Sequence, residues 1–382
     1  MKRKKLLLLF VSTCLILALA VSPFMAACAK PAVEPGTAEI AALEKEVAAL
    51  EKEIAKLEAA APEPAEVFKW RLQTHMTPGG PDWDVLLPRF KDRVMEMSDG
   101  QMDITLYPGG ALMGAMEMFP AVAEGTLELI NYCSAYTGGV APVGLFMWSA
   151  PFGLDRLEQR QYLFRELGWA DILREEYAKA GVYLLETGPG YEYGPVMSTV
   201  PIRSVADFKG LKMRSYGIHA DIYDALGASL TVMPSAEMYT ALATGTLDAA
   251  TWGGAEAFRM KAIHEVAKYY LALPIEMFTQ IEFDVNPDAW NTLPDDLKAI
   301  LRSATREYIL EFNLSYAYLD AKALDEMVSK HGVTVTRLPE AELAEMKEAA
   351  YKFWDDKAAA DPVTAEAIAI LRDYMKLLGY LD

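Results

Sequence analysis

The chain has 382 residues, with 54 acidic against 36 basic side chains and a formal net charge of −18. A field of that sign excludes nucleic acid as a partner held by overall charge, and an anionic ligand would need a local cation to capture it.

Met1-Lys2-Arg3-Lys4-Lys5 is a cationic opening, and an apolar run follows from Leu6 to about Ala20. The run gives way to Phe24-Met25-Ala26-Ala27-Cys28, small residues before a cysteine. This predicts a lipoprotein signal peptide over 1–27 and a mature chain lipidated at Cys28, which would hold it to the membrane on the extracytoplasmic side, periplasmic where there is a periplasm. A plain secretory signal or an uncleaved anchor are the alternatives. Cleavage removes four basic residues and no acidic one, leaving a net charge of −22. Of the three cysteines, Cys14 leaves with the signal and Cys28 carries lipid. Cys133 is then alone, with no intrachain disulfide open to it, and reads as a buried apolar residue.

Residues 38–58 read AEIAALEKEVAALEKEIAKLE. Ile40, Leu43, Val47, Leu50, Ile54 and Leu57 recur at alternating intervals of three and four, a strict heptad with β-branched residues at a and leucine at d. That choice favours a parallel two-stranded coil, hence a homodimer standing on two anchors; a single solvated spacer helix is the alternative. Prolines end the helix, and 59–66 reads as a linker.

The body alternates strand and helix. Phe68 to Leu72 reads as a strand, Trp83 to Met97 as a helix closed by Gly100, and Met102 to Tyr107 as a strand. Glu117 to Glu124 follows as a helix stopped at Gly125, then Leu127 to Tyr132 as a strand. The class is α/β with largely parallel pairing. Residues 121–128 (AVAEGTLE) and 241–248 (ALATGTLD) repeat one pattern: helix end, glycine stop, Thr-Leu-acid entering a strand. This fits a bilobal, periplasmic-binding-protein-like fold, two βα lobes around a ligand cleft, preceded by the coiled-coil helix. The expected partition is 67–191 plus 281–325 for lobe I and 192–280 plus 326–382 for lobe II.

Residues 203–252 are the most informative. Ser204 with Asp207 reads as a capping box, and Gly210 stops the short turn. In the next strand Leu211 and Met213 face one side and Lys212 and Arg214 the other. A helix from Ile218 to Leu226 ends at Gly227, and a strand spans Leu230 to Met233. A second helix runs from Ser235 to Thr244, and the last strand delivers Thr251 and Trp252 to its C-terminal end. Arg214 thus stands at a strand end just before a helix N-terminus near Gly217. A planar guanidinium beside free backbone N–H groups can hold a carboxylate. From pattern alone, a surface or interlobe ion pair accounts for Arg214 as well.

The stretch Asp207-Phe208-Lys209-Gly210-Leu211-Lys212-Met213-Arg214, with Leu226-Gly227-Ala228, Met233-Pro234, Glu237 to Leu242 and Gly245-Thr246-Leu247-Asp248, resembles the substrate-binding subunits of tripartite ATP-independent periplasmic (TRAP) transporters, DctP type. Tyr107-Pro108-Gly109-Gly110, Ala121 to Gly125 and Asn286 to Trp290 with Leu293-Pro294 extend the resemblance over about 68–330. The resemblance implies that Arg214 pairs with a ligand carboxylate and that membrane permease subunits are the partners. Ala135-Tyr136, Pro151-Phe152-Gly153-Leu154 and Thr251-Trp252 resemble the subgroup binding 2-oxo acids and related hydroxy acids. There a Glu precedes the Trp and helps hold a metal ion bridging to the ligand. Thr251 stands in its place. A hydroxyl is a weaker ligand for a hard cation, which puts a divalent or sodium ion at the site in question and the narrow substrate class with it. No other cofactor is implied.

Further pocket candidates are Tyr136, equally readable as a core aromatic; Tyr193 and Glu192 in Gly190-Tyr191-Glu192-Tyr193-Gly194, where the chain crosses to the second lobe; His75 after the first strand; and Glu117, equally readable as a solvated face. There is no P-loop, no dinucleotide-binding glycine fingerprint, no H-E-x-x-H and no G-x-S-x-G. The expected function is capture of a small organic carboxylate for a TRAP-type transporter, without chemistry. An exported enzyme acting on an organic acid, or a receptor passing a ligand signal to a membrane sensor, are the alternatives.

Overall fold

The computed structural model describes residues 37–59, 66–233, 235–275 and 279–382. The expected signal segment 1–27, Cys28 and residues 60–65 of the expected linker lie outside the described residues. The chain divides into an N-terminal unit ending at Ala65 and a body from Glu66 to Asp382. In the first unit Thr37–Ala59 forms one 23-residue helix, α1, as its alanine, leucine, glutamate and lysine content and its apolar spacing require.

The body is built on two sheets. The first holds β1 (Phe68–Thr74), β2 (Met102–Tyr107), β3 (Leu129–Tyr132), β4 (Tyr183–Pro189) and β10 (Gln280–Val285), in the order β2-β1-β3-β10-β4. The second holds β5 (Val196–Ser198), β6 (Lys212–Arg214), β7 (Ser229–Thr231), β8 (Ala249–Ala250), β9 (Tyr269–Leu271) and β11 (Thr334–Thr336), in the order β11-β9-β5-β8-β6-β7. Each sheet carries one strand antiparallel to both neighbours, β10 in the first and β5 in the second. These are the strands the chain enters immediately after crossing between lobes. A chain arriving from the cleft must start at the end where the parallel strands finish, so it runs against them. The largely parallel pairing expected from the βα alternation is therefore interrupted once per lobe.

The repeated octapeptides occupy equivalent places. Helix α2 (Ala115–Ala123) closes at Gly125 (φ +76°) and leads to β3; helix α4 (Met238–Ala243) closes at Gly245 (φ +71°) and leads to β8. Between them in the chain lies α3 (Gly217–Ala225), which follows β6, and after α4 comes α5 (Ala255–Met260).

The two crossovers lie side by side and pair: Gly190 N donates to Thr279 O at 2.8 Å and Thr279 N to Tyr191 O at 2.8 Å. A side chain at Gly190 would meet Thr279 Oγ1 at 2.6 Å and the Gln280 backbone at 3.3 Å, so the crowding at the crossover favours glycine there. Across this hinge runs α6 (Asp295–His331), 37 residues and about 55 Å long. It packs on β4 and β10 of the first lobe and on α5 of the second. The partition drawn from sequence cuts this continuous helix between 325 and 326. The last helix, α7 (Pro362–Leu377), packs on Pro142–Trp148 and Trp169–Lys179, and Trp169 Nε1 donates to Ala367 O at 2.9 Å. The C-terminal segment, placed by sequence with lobe II, thus also touches helices of the first lobe. Cys133 is a buried free thiol.

Candidate functional site

β6 sends Met213 into the core and ends at Arg214, which is 6% exposed. The backbone of Arg214 is pinned by Thr251, whose N–H donates to its carbonyl at 3.0 Å. After Arg214 the chain leaves the sheet, turns at Gly217 (φ +59°) and enters α3, whose first turn has no side-chain cap. The guanidinium is held by Nη1 donating to Thr251 O at 2.6 Å and to Tyr193 Oη at 3.2 Å, and by Nε donating to Met233 O at 3.3 Å. It lies over the Trp252 ring, 5.3 Å from the centroid, and the Lys261 ammonium also lies 5.0 Å from that centroid. Among the described residues Nη2 has no partner, and no carboxylate lies within ion-pair distance of Arg214. A buried guanidinium without a counter-ion is costly and is aimed at something anionic.

The first lobe supplies the facing wall. His75 follows β1, its Nδ1 lies 3.2 Å from Asn131 O, and its ring packs on Tyr132 and Tyr136 at 6.1 and 5.8 Å between centroids. Tyr136 packs with Trp148 and Tyr193, side chains from either side of the crossover. Burial pushes the Tyr136 phenol up, while Arg214 acts on it in the opposite sense, so the guanidinium lies within electrostatic reach. Of the sequence candidates, the fold gathers Arg214, Trp252, Tyr193, Tyr136, Thr251 and His75 into this one region.

Glu192 and Glu117 are directed elsewhere. Glu192 lines a cavity of about 320 Å³ behind the hinge with Tyr191, Tyr270, Asn313, Tyr316 and Asp320. Burial, reinforced by the neighbouring Asp320 carboxylate, pushes Glu192 up to about 7. Glu117 sits in the first turn of α2 and accepts the Gly114 N–H at 2.9 Å, a capping role at an exposed position.

Three further side chains at the site had no sequence signal. Trp148 packs against Tyr193 at 5.3 Å and His219 at 6.3 Å. His219 Nε2 meets Ser149 Oγ at 2.7 Å. Lys261, brought in after α5, lies over the Trp252 ring as Arg214 does, and burial followed by Arg214 lowers its pKa. Burial alone holds His219 to about 3, and burial outweighs the Asn131 carbonyl in holding His75 to about 4, so both imidazoles are neutral at pH 7. The formal charge here is positive, carried by Arg214 and Lys261, amid neutral hydroxyl and ring donors.

Residues 78–361 match the DctP model, described as bacterial extracellular solute-binding protein, family 7. The chain belongs to this family of TRAP-type solute-binding proteins. It is 32% identical over 269 residues to the monocarboxylate 2-oxoacid-binding periplasmic protein of Nostoc sp., covering 68% of this chain and 71% of that one. Among solved structures, it is similar to a TRAP periplasmic solute-binding protein from Colwellia psychrerythraea with bound calcium and pyruvate. That similarity has a TM-score of 0.75 and 27% identity, and covers 82% of this chain and 96% of that one. A counterpart from Pseudoalteromonas atlantica with bound sodium and pyruvate gives a TM-score of 0.74 and 27% identity, over 82% and 96%. The bilobal α/β architecture expected from the sequence is the DctP fold. Family members are receptors, and they work outside the cytoplasm.

Two of these relatives carry an ion beside the ligand, so the donor set at Thr251 matters. The Thr251 hydroxyl is buried and donates to Ser215 Oγ at 3.1 Å, and its carbonyl is taken by Arg214. Among the described residues no group of three or more His, Cys, Asp or Glu side chains converges to hold a metal. These residues do not fit a hard cation held as the subgroup's Glu would hold it.

Proposed function

We propose that this DctP-family chain captures a small monocarboxylate, a 2-oxo or 2-hydroxy acid, between its lobes and presents it to TRAP permease subunits, performing no chemistry on it. The observation that carries the reading is Arg214: a buried guanidinium fixed on two edges, with Nη2 open and no acid to neutralise it among the described residues. A ligand carboxylate would supply the missing charge, and Arg's fork would accept it in a defined plane. Tyr136, Tyr193 and Trp252 would enclose the short carbon chain, with Thr251 and His75 lining the polar edges. Glu192 and Glu117 have no part in this reading, because hinge and helix cap engage them. The ligands of the Colwellia, Pseudoalteromonas and Nostoc relatives support the chemical class.

We further propose that Arg214 holds the carboxylate without a resident divalent or sodium ion, and that Cys28 carries a lipid anchor on the mature chain. The test of the ligand class is mass spectrometry of small molecules released from freshly purified protein, followed by incubation with a panel of 2-oxo and 2-hydroxy acids. Release of a short monocarboxylate, unchanged after incubation and still bound both after chelation with EDTA and in sodium-free buffer, supports the reading. Turnover of any panel member would favour an enzyme, and loss of binding on chelation or on removal of sodium would restore the ion.

A further inference from the structure

The ligand site leaves α1 unexplained. With Ile40, Val47 and Ile54 at a and Leu43, Leu50 and Leu57 at d, its apolar seam runs about 26 Å along the helix. Leu43, Val47 and Leu50 are 52%, 40% and 54% exposed on α1. The apolar pattern by itself suits a second copy of the same helix. The residues flanking the seam point elsewhere.

Positions e and g are Glu39, Glu44, Glu46, Glu51, Glu53 and Glu58, glutamate without exception. The lysines, Lys45, Lys52 and Lys56, fall at f and c, on the outer face. In a parallel homodimer each g position meets e of the next heptad on the other helix, so Glu39 meets Glu44, Glu46 meets Glu51 and Glu53 meets Glu58, on both sides of the seam. An antiparallel pair sets g against g and e against e, again glutamate against glutamate. Charges at e and g set partner choice, and repulsion there excludes wrong partners. The same acidic flanks would also repel an anionic lipid surface, so the seam is not shaped to lie on one.

We propose that α1 is a docking helix for another protein: a heptad helix with apolar a and d residues and Lys or Arg at e and g. A second copy of this chain is the partner it is built to refuse at neutral pH. Each of the six glutamates then meets a cation, and the seam becomes covered. This reading does not depend on the identity of the small-molecule ligand.

The test is sedimentation of the purified mature chain at neutral pH, alone and with a synthetic 23-residue heptad helix bearing Ile at a, Leu at d and Lys at every e and g, the length of α1. The chain alone should sediment identically to its Leu43→Asp/Leu50→Asp variant, showing no association through α1. The basic helix should bind one to one, fail on that variant, and lose affinity by about tenfold or more between about 20 and about 500 mM salt. The Glu44→Lys/Glu51→Lys/Glu58→Lys variant should self-associate, because its g glutamates then meet e lysines. Self-association of the native chain that requires Leu43 and Leu50 would overturn the proposal. So would failure of the basic helix to bind, whether or not the charge-swapped variant pairs.

Discussion

Replacing Arg214 is the sharpest perturbation. The side chain holds Thr251 O, Tyr193 Oη and Met233 O by Nη1 and Nε, and leaves Nη2 without a described partner. In the bound state a carboxylate facing Nη2 would form a buried, hydrogen-bonded charge pair. Removing one member of such a pair costs ~2–5 kcal/mol, which at 1.4 kcal/mol per tenfold is roughly 30- to 4,000-fold in Kd. Arg214→Ala should therefore abolish most of the affinity for a 2-oxo monocarboxylate in calorimetry. Arg214→Lys keeps the charge but not the fork, and should recover only part of the loss. A control separates binding from folding. Without ligand the guanidinium is a buried charge with no counter-ion among the described residues, so its removal should change apo melting little, while the ligand-induced rise in Tm should vanish. Should Arg214→Ala bind within about threefold of the native chain, a difference below ~1 kcal/mol, the carboxylate site lies elsewhere and the role given to Arg214 is wrong.

Other expectations follow from the hinge, the cleft and the N-terminus. Glu192 is held at about 7 in the folded chain, above its ordinary value of 4.5, so between these values the native state keeps a proton the unfolded chain has lost. Stability should fall as pH rises through that window, by as much as ~3 kcal/mol, and Glu192→Gln should flatten that part of the Tm–pH profile; an unchanged profile would remove Glu192 from the account. Because the crossovers pair as a narrow hinge, saturating ligand should compact the chain in solution scattering, and an unaltered radius of gyration would contradict closure. Cys28→Ala should release the protein from the membrane fraction or leave it unprocessed, and unchanged detergent partitioning would refute lipidation.

What the sequence disclosed was local. The Gly210 stop, the strand to Arg214 and the helix after Gly217 were legible because each rests on residues a few positions apart. The two octapeptides were legible for the same reason, since a glycine with positive φ ends each helix. The reversed direction of β5 and β10 was not legible, because strand sense follows from where the chain crosses between lobes. Trp148 and His219 are 71 positions apart and meet only through packing across the crossover. Lys261 lies in an unremarkable run, and its position over Trp252 depends on how α5 returns to the sheet. Glu192 lies where the chain crosses between lobes, which points to the cleft, yet it lines the cavity behind the hinge. Glu117 shows a related effect: its spacing from Gly114 serves the helix start.

The most direct measurement of the central claim is a calorimetric titration of the native protein with pyruvate, the ligand carried by two of its structural relatives, alongside a short 2-hydroxy acid. Saturable one-to-one binding of at least one of them is expected in the presence of EDTA, with a Kd of about 1 μM or tighter, about −8 kcal/mol. Absence of binding heat for every short 2-oxo and 2-hydroxy monocarboxylate, at more than one temperature and on protein stripped of endogenous ligand, would contradict it.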